Sequence, residues 1–493
     1  MRSATPLLPK LPLSQVSSLL LACIIALAVL FTTACGSSMS MSHSPSPVLS
    51  GNTSVTVLVS STANDQLSQF GVSFSGLSLT SQSGKTVSLI NTPQNPEFIH
   101  VNGTAEPLVT VSVPQDVYSA ATATISYSTF TCISLSPGEL QTSEFGLNGT
   151  PSATVTLPSP ITVTGTAMGL SLDLQVSQSA TFSSCNLQGA TYSITPMFNL
   201  SPVAVSSQPT NVGNGKESGI DGQISSVSSI GNGFSLVTAD GATLSLNTGG
   251  STVYQGIPGF SALVAGMSVD MDMAIQPDGS LLATRVAVAD KDTTTLSVLS
   301  GPLLNVAASE PALLTFGREG QGYLFGSIQN GVPLYFSFGS AVFQTSGQFT
   351  NLQNLPFPAS FKASNMVAGQ NIYISSHALG FAGGPTYVPA ATITLMPQTI
   401  NGTVSSVSND GSFSTYTVAL AAYDLIPALA VQPGQTTLLK DPGTVVVYVD
   451  SNTQMLNTMP LSAGSVLRFN GLLFNDNGTL RMDCGQVNDG VTE

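Results

Sequence analysis

Apolar residues in the first part of the chain stand two apart over short stretches. Val55, Val57 and Val59 follow this spacing, as do Val109, Val111 and Val113, and then Leu170, Leu172, Leu174 and Val176. A period of two puts these side chains on one face of a strand, with polar residues on the other. Turn signals separate the runs, among them Ser83-Gly84, Asn102-Gly103 and Asn148-Gly149. Residues 51–200 therefore read as an antiparallel β-sandwich. Residues 201–218 (SPVAVSSQPTNVGNGKES) lose all periodicity and carry Pro, Gly and Asn, as a linker does.

An internal repeat follows. Its first half is Gly-x-apolar-x-x-Val, at Gly222 to Val227, Gly301 to Val306 and Gly402 to Val407. Its second half is apolar-x-Ala-Gly, ending at Gly266, Gly369 and Gly464. The two glycines lie 44, 68 and 62 residues apart in the three copies (266 − 222, 369 − 301, 464 − 402), so the second and third copies carry enlarged loops. Phe260 to Ala265 can form one helical turn that Gly266 ends in a left-handed cap. The next residues, Val269, Met271, Met273 and Ile275, alternate as a strand. Strands grouped around one helical turn predict three small β-barrels, over 219–292, 293–398 and 399–490. The oligonucleotide-binding topology is one candidate for them.

Composition supports an all-β chain. Only 8 Glu and 6 Lys occur in 493 residues, too few to solvate long helices, and the surface falls to Ser, Thr, Asn, Gln and Gly. Eleven Lys and Arg against 25 Asp and Glu leave a net charge of −14, which argues against phosphate neutralisation and so against a nucleic-acid partner.

At the N-terminus, Arg2 and Lys10 precede an unbroken apolar run from Leu19 to Phe31, too short to span a bilayer and long enough for an export signal. Cys35, following Ala34 and preceding Gly36-Ser37-Ser38, resembles the bacterial lipobox. That resemblance implies a signal peptide over 1–35 and a lipid on Cys35; ordinary cleavage after Ala34 is the alternative. Residues 36–50 are Ser, Met and Pro-rich, as in a tether. Cys132 and Cys185 fall in one region of an exported chain and are the expected disulfide, with two buried free thiols as the alternative. Cys484 is left over.

Two further resemblances cover most of the remaining chain. The Gly-x-Ile-Ser-Ser-Val start at Gly222, the Leu-x-x-Gly-x-x-Val strand and the Asp-Gly…Ala-Thr-x-Val ending at Asp278 to Val286 look like an uncharacterised small β-barrel repeat of secreted bacterial proteins. The stretches Ser54 to Val59, Val72 with Phe74, and Val113 to Tyr118 resemble a second uncharacterised family, of bacterial lipoprotein β-domains. Neither resemblance brings an activity or site residues.

Chemistry is sparse. His43, His100 and His377 are scattered, and no Gly-x-Ser-x-Gly elbow, HExxH, phosphate loop or calcium loop occurs. Asp270 and Asp272 share one face of a predicted strand and are weak candidates for Ca²⁺ or for a glycoside hydrolase; a solvating outer face is the plainer explanation. Asp278 belongs to a Pro-Asp-Gly turn. Tyr323, Phe325, Tyr335, Phe336, Phe338 and Phe343 are close in sequence and suit a strand core better than a sugar platform. The sequence thus predicts an exported, lipid-anchored, non-catalytic envelope protein that acts as a binding or assembly module without a cofactor. Its expected partners are the membrane, through the lipid, and an envelope protein or polysaccharide. An enzyme acting on extracellular polysaccharide is the alternative.

Overall fold

The computed structural model describes residues 49–490 except 63–66, 103–104, 137–138, 149–152, 186–188, 204–216, 229, 239–241, 277, 289–296, 308–310, 315–332, 347–348, 350, 377–386, 422–423, 433, 456 and 458. The signal region, Cys35, the tether, His43, His377, Tyr323 and Phe325 lie outside the described residues. Strands make up most of the described chain, and its helices are short, Val176–Ser179 and Leu425–Ala430 with single 3-10 turns.

The N-terminal region is a sandwich of two sheets around one core. The first sheet orders its strands Glu106–Pro114, Asn52–Thr62, Ala167–Gln175, Met197–Pro202 and Thr154–Thr156. The second orders Thr86–Ile90, Leu67–Ser81, Asp116–Ser136 and Glu139–Asn148, with Ile161–Val163 added to Asp116–Ser136. Val55, Val57 and Val59 from one sheet meet Val72, Phe74 and Phe130 from the other in a single buried cluster. The first sheet departs from purely antiparallel pairing, since Asn52–Thr62 runs parallel to Ala167–Gln175. Strands of both sheets lie between Thr62 and Ala167, and a crossover that long is what a parallel pair requires. Cys132 and Cys185 are joined in a disulfide that ties this sheet to the loop after Phe182.

All three repeats form the same barrel. In the first, five strands in chain order (Glu217–Ser228, Gly233–Thr238, Thr243–Gln255, Ser268–Ile275, Leu281–Val288) close in the ring 1-2-3-5-4. The third and fifth strands run parallel, and the 3-10 turn Phe260–Ala262 sits between the third and fourth. Barrel 3 repeats the ring with Gln398–Asp410, Phe413–Leu420, Thr444–Val449, Val466–Asp476 and Thr479–Asp489, again with the third and fifth parallel. Barrel 2 breaks two of its staves. Its third strand is split into Pro333–Ser337 and Val342–Thr345, and its fifth into Tyr387–Pro389 and Thr392–Leu395. Each half still pairs in parallel with its counterpart, so the chain itself completes the ring. This strand order is that of the oligonucleotide-binding barrel.

The repeat glycines explain the spacing that marks them. Gly266, Gly369 and Gly464 adopt φ of +86°, +93° and +91°, a left-handed conformation that favours glycine. Their N–H groups donate to Ile224 O, Leu303 O and Val404 O at 2.7, 2.8 and 2.8 Å. Those same three residues donate back to Met267 O, Gln370 O and Ser465 O. The paired bonds pin the first strand of each barrel to the turn before the fourth. Directly after each of these residues the first strand carries a register shift in its pairing with the second, which bends it around the barrel.

Residues 50–493 form one compact unit, so the barrels are not beads on a string. Leu58 and Ala105 of the sandwich enter the hydrophobic cluster of barrel 1. The Gly279 turn presses so closely on the backbone of Met168 and Gly169 that a Cβ there would overlap it. Barrel 2 carries the enlarged loop between its third and fourth strands over to barrel 3. Val367 in that loop is buried in the core of barrel 3, and Gln370 Nε2 donates to Leu473 O at 2.9 Å.

Candidate functional site

Three groupings of polar and aromatic side chains are worth testing as sites. The first is the acidic pair on barrel 1. The alternation of the fourth strand holds, with Val269, Met271, Met273 and Ile275 in the core and Asp270 and Asp272 on the outer face. The fifth strand places Arg285 opposite Asp272. Arg285 Nε donates to Asp272 Oδ2 at 2.8 Å, its Nη2 donates to Asp272 Oδ1 at 3.0 Å, and Nη2 also pairs with Asp270. Burial pushes the Asp270 carboxyl upward and the Arg285 charge pulls it back. One guanidinium thus binds both carboxylates, a planar fork matched to its acceptors. That leaves the pair committed to the neighbouring strand. Asp278 is a turn residue, accepting from Ser280 N and Ser280 Oγ at 3.0 and 2.7 Å.

The second grouping is an aromatic face on barrel 3. Phe413, Tyr448 and Phe474 point outward from its second, third and fourth strands, and Arg481 joins them from the fifth. Aromatic rings with an arginine on this side of an oligonucleotide-binding barrel are the chemistry that stacks bases elsewhere. In this chain Phe357, from the barrel 2 loop, fills it. Its ring lies 5.1 Å from Tyr448 and 5.7 Å from Phe474, and the Arg481 guanidinium lies 5.6 Å from it. Phe357, Phe413, Tyr448 and Phe474 are all buried. Of the aromatics that cluster in the barrel 2 sequence, Phe336 is core, Phe338 packs edge-on against Phe343, and Tyr335 is exposed.

The third grouping was not legible in the sequence. His100 lies between two glutamates in the sandwich, with Nδ1 2.7 Å from Glu97 Oε2 and Nε2 3.0 Å from Glu106 Oε1. Its side chain is 4% exposed, and that of Glu97 is 3%. Glu97 also accepts the backbone N–H groups of Phe70, Ile99 and His100, so the carboxylate fixes the local chain path. Nearby, Asn102 accepts from Thr399 Oγ1 and Arg468 Nη1, and Arg468 Nη1 also donates to Ser61 O at 3.3 Å. This polar seam joins the sandwich to barrel 3. The signal was that Glu97, His100 and Glu106 bring together two of 8 Glu and one of three His.

Among the described residues no group of three or more His, Cys, Asp or Glu is arranged to hold a metal. Cys484 is buried, and burial pushes its thiol up, which keeps it protonated. No helix among the described residues is long and apolar enough to cross a membrane.

The fold defines a β-sandwich carrying three oligonucleotide-binding-type barrels. Residues 221–287, within barrel 1, match a family described as a domain of unknown function, DUF5666. No curated protein matches the chain. Among solved structures it is similar to the drosophila Unr CSD456 fragment, with 11% identity, a TM-score of 0.13, and coverage of 56% of this chain and 99% of that one. It is also similar to a deletion mutant of the single-stranded DNA-binding protein of Thermus aquaticus, with 13% identity, a TM-score of 0.14, and coverage of 40% and 95%. The expectation of no nucleic-acid partner, drawn from net charge, is withdrawn beside these neighbours. The solved structures that align include a single-stranded DNA-binding protein, and net charge over a whole chain does not describe any one barrel face.

Proposed function

We propose that this chain is an exported, lipid-anchored, non-catalytic envelope module that works by binding or assembly. The observation that carries the reading is the use of the barrel faces. The third strand of barrel 1 reaches the sandwich at Ser245, whose N donates to Thr110 Oγ1 at 3.3 Å, while its other outward residues stay exposed. The corresponding face of barrel 3 is filled by Phe357. A ligand-type face spent on protein packing suits a module that organises other chains. The one acidic pair with hydrolase-like spacing is held by Arg285, which disfavours a nucleophile or general acid there.

The export signal and the Cys35 lipobox resemblance supply the address. The test is native electrophoresis of detergent-solubilised envelopes from the producing cell. The chain is expected in a complex heavier than its own mass, unchanged by Asp270→Asn with Asp272→Asn. Migration as a free monomer in every fraction overturns the reading.

A further inference from the structure

The second sheet of the sandwich carries a buried polar pair beside its disulfide. Cys132, in the strand Asp116–Ser136, is bonded to Cys185, and the residue before it is Thr131. Thr131 stands directly opposite Gln69 of the strand Leu67–Ser81. The Thr131 hydroxyl donates to Gln69 Oε1 at 3.3 Å, and the two residues are 1% and 2% exposed. They lie on the sheet face turned away from Phe70 and Phe130, which alternation would leave to solvent. Ile133, next along that face, packs with Leu304 and Ala312 of barrel 2, so the barrel covers the sheet there.

Gly71, two residues after Gln69 on the same face of the strand, accounts for how the amide sits. A Cβ there would lie 2.6 Å from Gln69 Nε2, so any larger residue would push the amide away. The amide thus turns its oxygen to Thr131 and its nitrogen over Gly71. From the other side, Glu144 stands directly opposite Thr131 in the next strand, and its Oε1 accepts from Thr129 Oγ1 at 3.0 Å. A hydroxyl, an amide carbonyl and a carboxylate therefore share one covered face, as nucleophile, electrophile and base must.

We propose that Thr131 and Gln69 join in an intramolecular ester that cross-links their two strands. Thr131 Oγ1 adds to Gln69 Cδ while the Glu144 carboxylate takes the hydroxyl proton. The Oγ1–Cδ bond forms, the Cδ–Nε2 bond breaks, and the nitrogen leaves as ammonia carrying that proton. Nothing is oxidised or reduced, and no co-reactant is consumed. Burial then keeps water from hydrolysing the ester. The bond lies one residue from the Cys132–Cys185 bridge, and the two brace the same strand. It forms within one chain, so the inference stands apart from the anchored-module reading.

Tryptic mapping of the full chain from the producing cell, after reduction, tests this. Trypsin cuts after Lys85 and Lys216 with no Lys or Arg between them, so Gln69 and Thr131 fall in separate peptides while Cys132 and Cys185 share one. The expected product is the two peptides joined, lighter than their sum by one ammonia, with fragmentation placing the joint at Gln69 and Thr131. Hydroxylamine should split it. Thr131→Val should give two separate peptides at full mass. Glu144 is exposed, so Glu144→Gln should fold as the wild type does and leave most of the chain unjoined. Separate wild-type peptides at full mass, or a joint between other residues, overturn the proposal. Undiminished joining in Glu144→Gln overturns the role given to Glu144.

Discussion

Replacing His100 by Ala is expected to destabilise the folded chain by about 2–4 kcal/mol, because the truncation leaves a cavity and takes a buried hydrogen-bond partner from Glu97 and Glu106. The imidazole stands between Glu97 Oε2 and Glu106 Oε1, at 2.7 and 3.0 Å. Without it, two buried carboxylates face each other across a cavity. Glu97 keeps its three backbone donors, so its local turn should survive while the gap between the strands opens. The check is the denaturant midpoint of the exported chain. A second variant, His100→Ala with Glu106→Gln, should recover part of the loss by giving Glu97 an amide donor across the gap. A loss below about 1 kcal/mol for the single variant would show that the pairing is worth no more than an exposed one.

The other large effect is on pH. Burial pushes the Asp424 carboxyl up to about 7, even though the N–H groups of Ile426 and Asn401 donate to it. Burial, with the Asp450 charge beside it, pushes Asp483 up to about 7 as well. Asp173 is raised by burial in the same direction. A carboxyl whose folded value lies above its unfolded one binds more protons when folded. Stability is then fully present below the unfolded value and is lost as pH rises towards the folded one. The window runs from about pH 4 to about pH 7, and each fully displaced acid represents on the order of 4 kcal/mol at most. Thermal unfolding should therefore come several degrees lower at pH 8 than at pH 5. Asp424→Asn keeps an acceptor for Ile426 N at the start of helix Leu425–Ala430 and should flatten part of that slope. A midpoint that rises from pH 5 to pH 8 would contradict the assignment.

Much of the fold could be read from side-chain order alone. The glycines at 266, 369 and 464 are legible because no other residue takes their backbone angles so readily, and the alternation from Val269 to Ile275 has only one core face to serve. Leu58 shows where that logic stops. It interrupts the alternation of Val55, Val57 and Val59, and it is buried because barrel 1 covers the outer face of the same strand. That is a fact of tertiary packing with no local trace. The parallel pairing of Asn52–Thr62 with Ala167–Gln175 depends on a crossover that takes up most of the sandwich, which periodicity does not record.

The polar groupings follow the same division. Asp270 and Asp272 were visible as one face, but their partner Arg285 is set by the register of the neighbouring strand. Phe357 reads as a residue in an enlarged loop, and only the meeting of two barrels turns it into the plug of an aromatic face. His100 stands three residues after Glu97, yet Glu106 reaches it from the next strand.

The proposed anchored module is tested most directly by intact mass spectrometry of membrane and soluble fractions from the producing cell, wild type beside Cys35→Ala. The expected result is a diacyl or triacyl mass on a chain that begins at Cys35, found with the membranes and lost in the variant. A chain beginning at Cys35 without lipid, recovered in the soluble fraction, would contradict it.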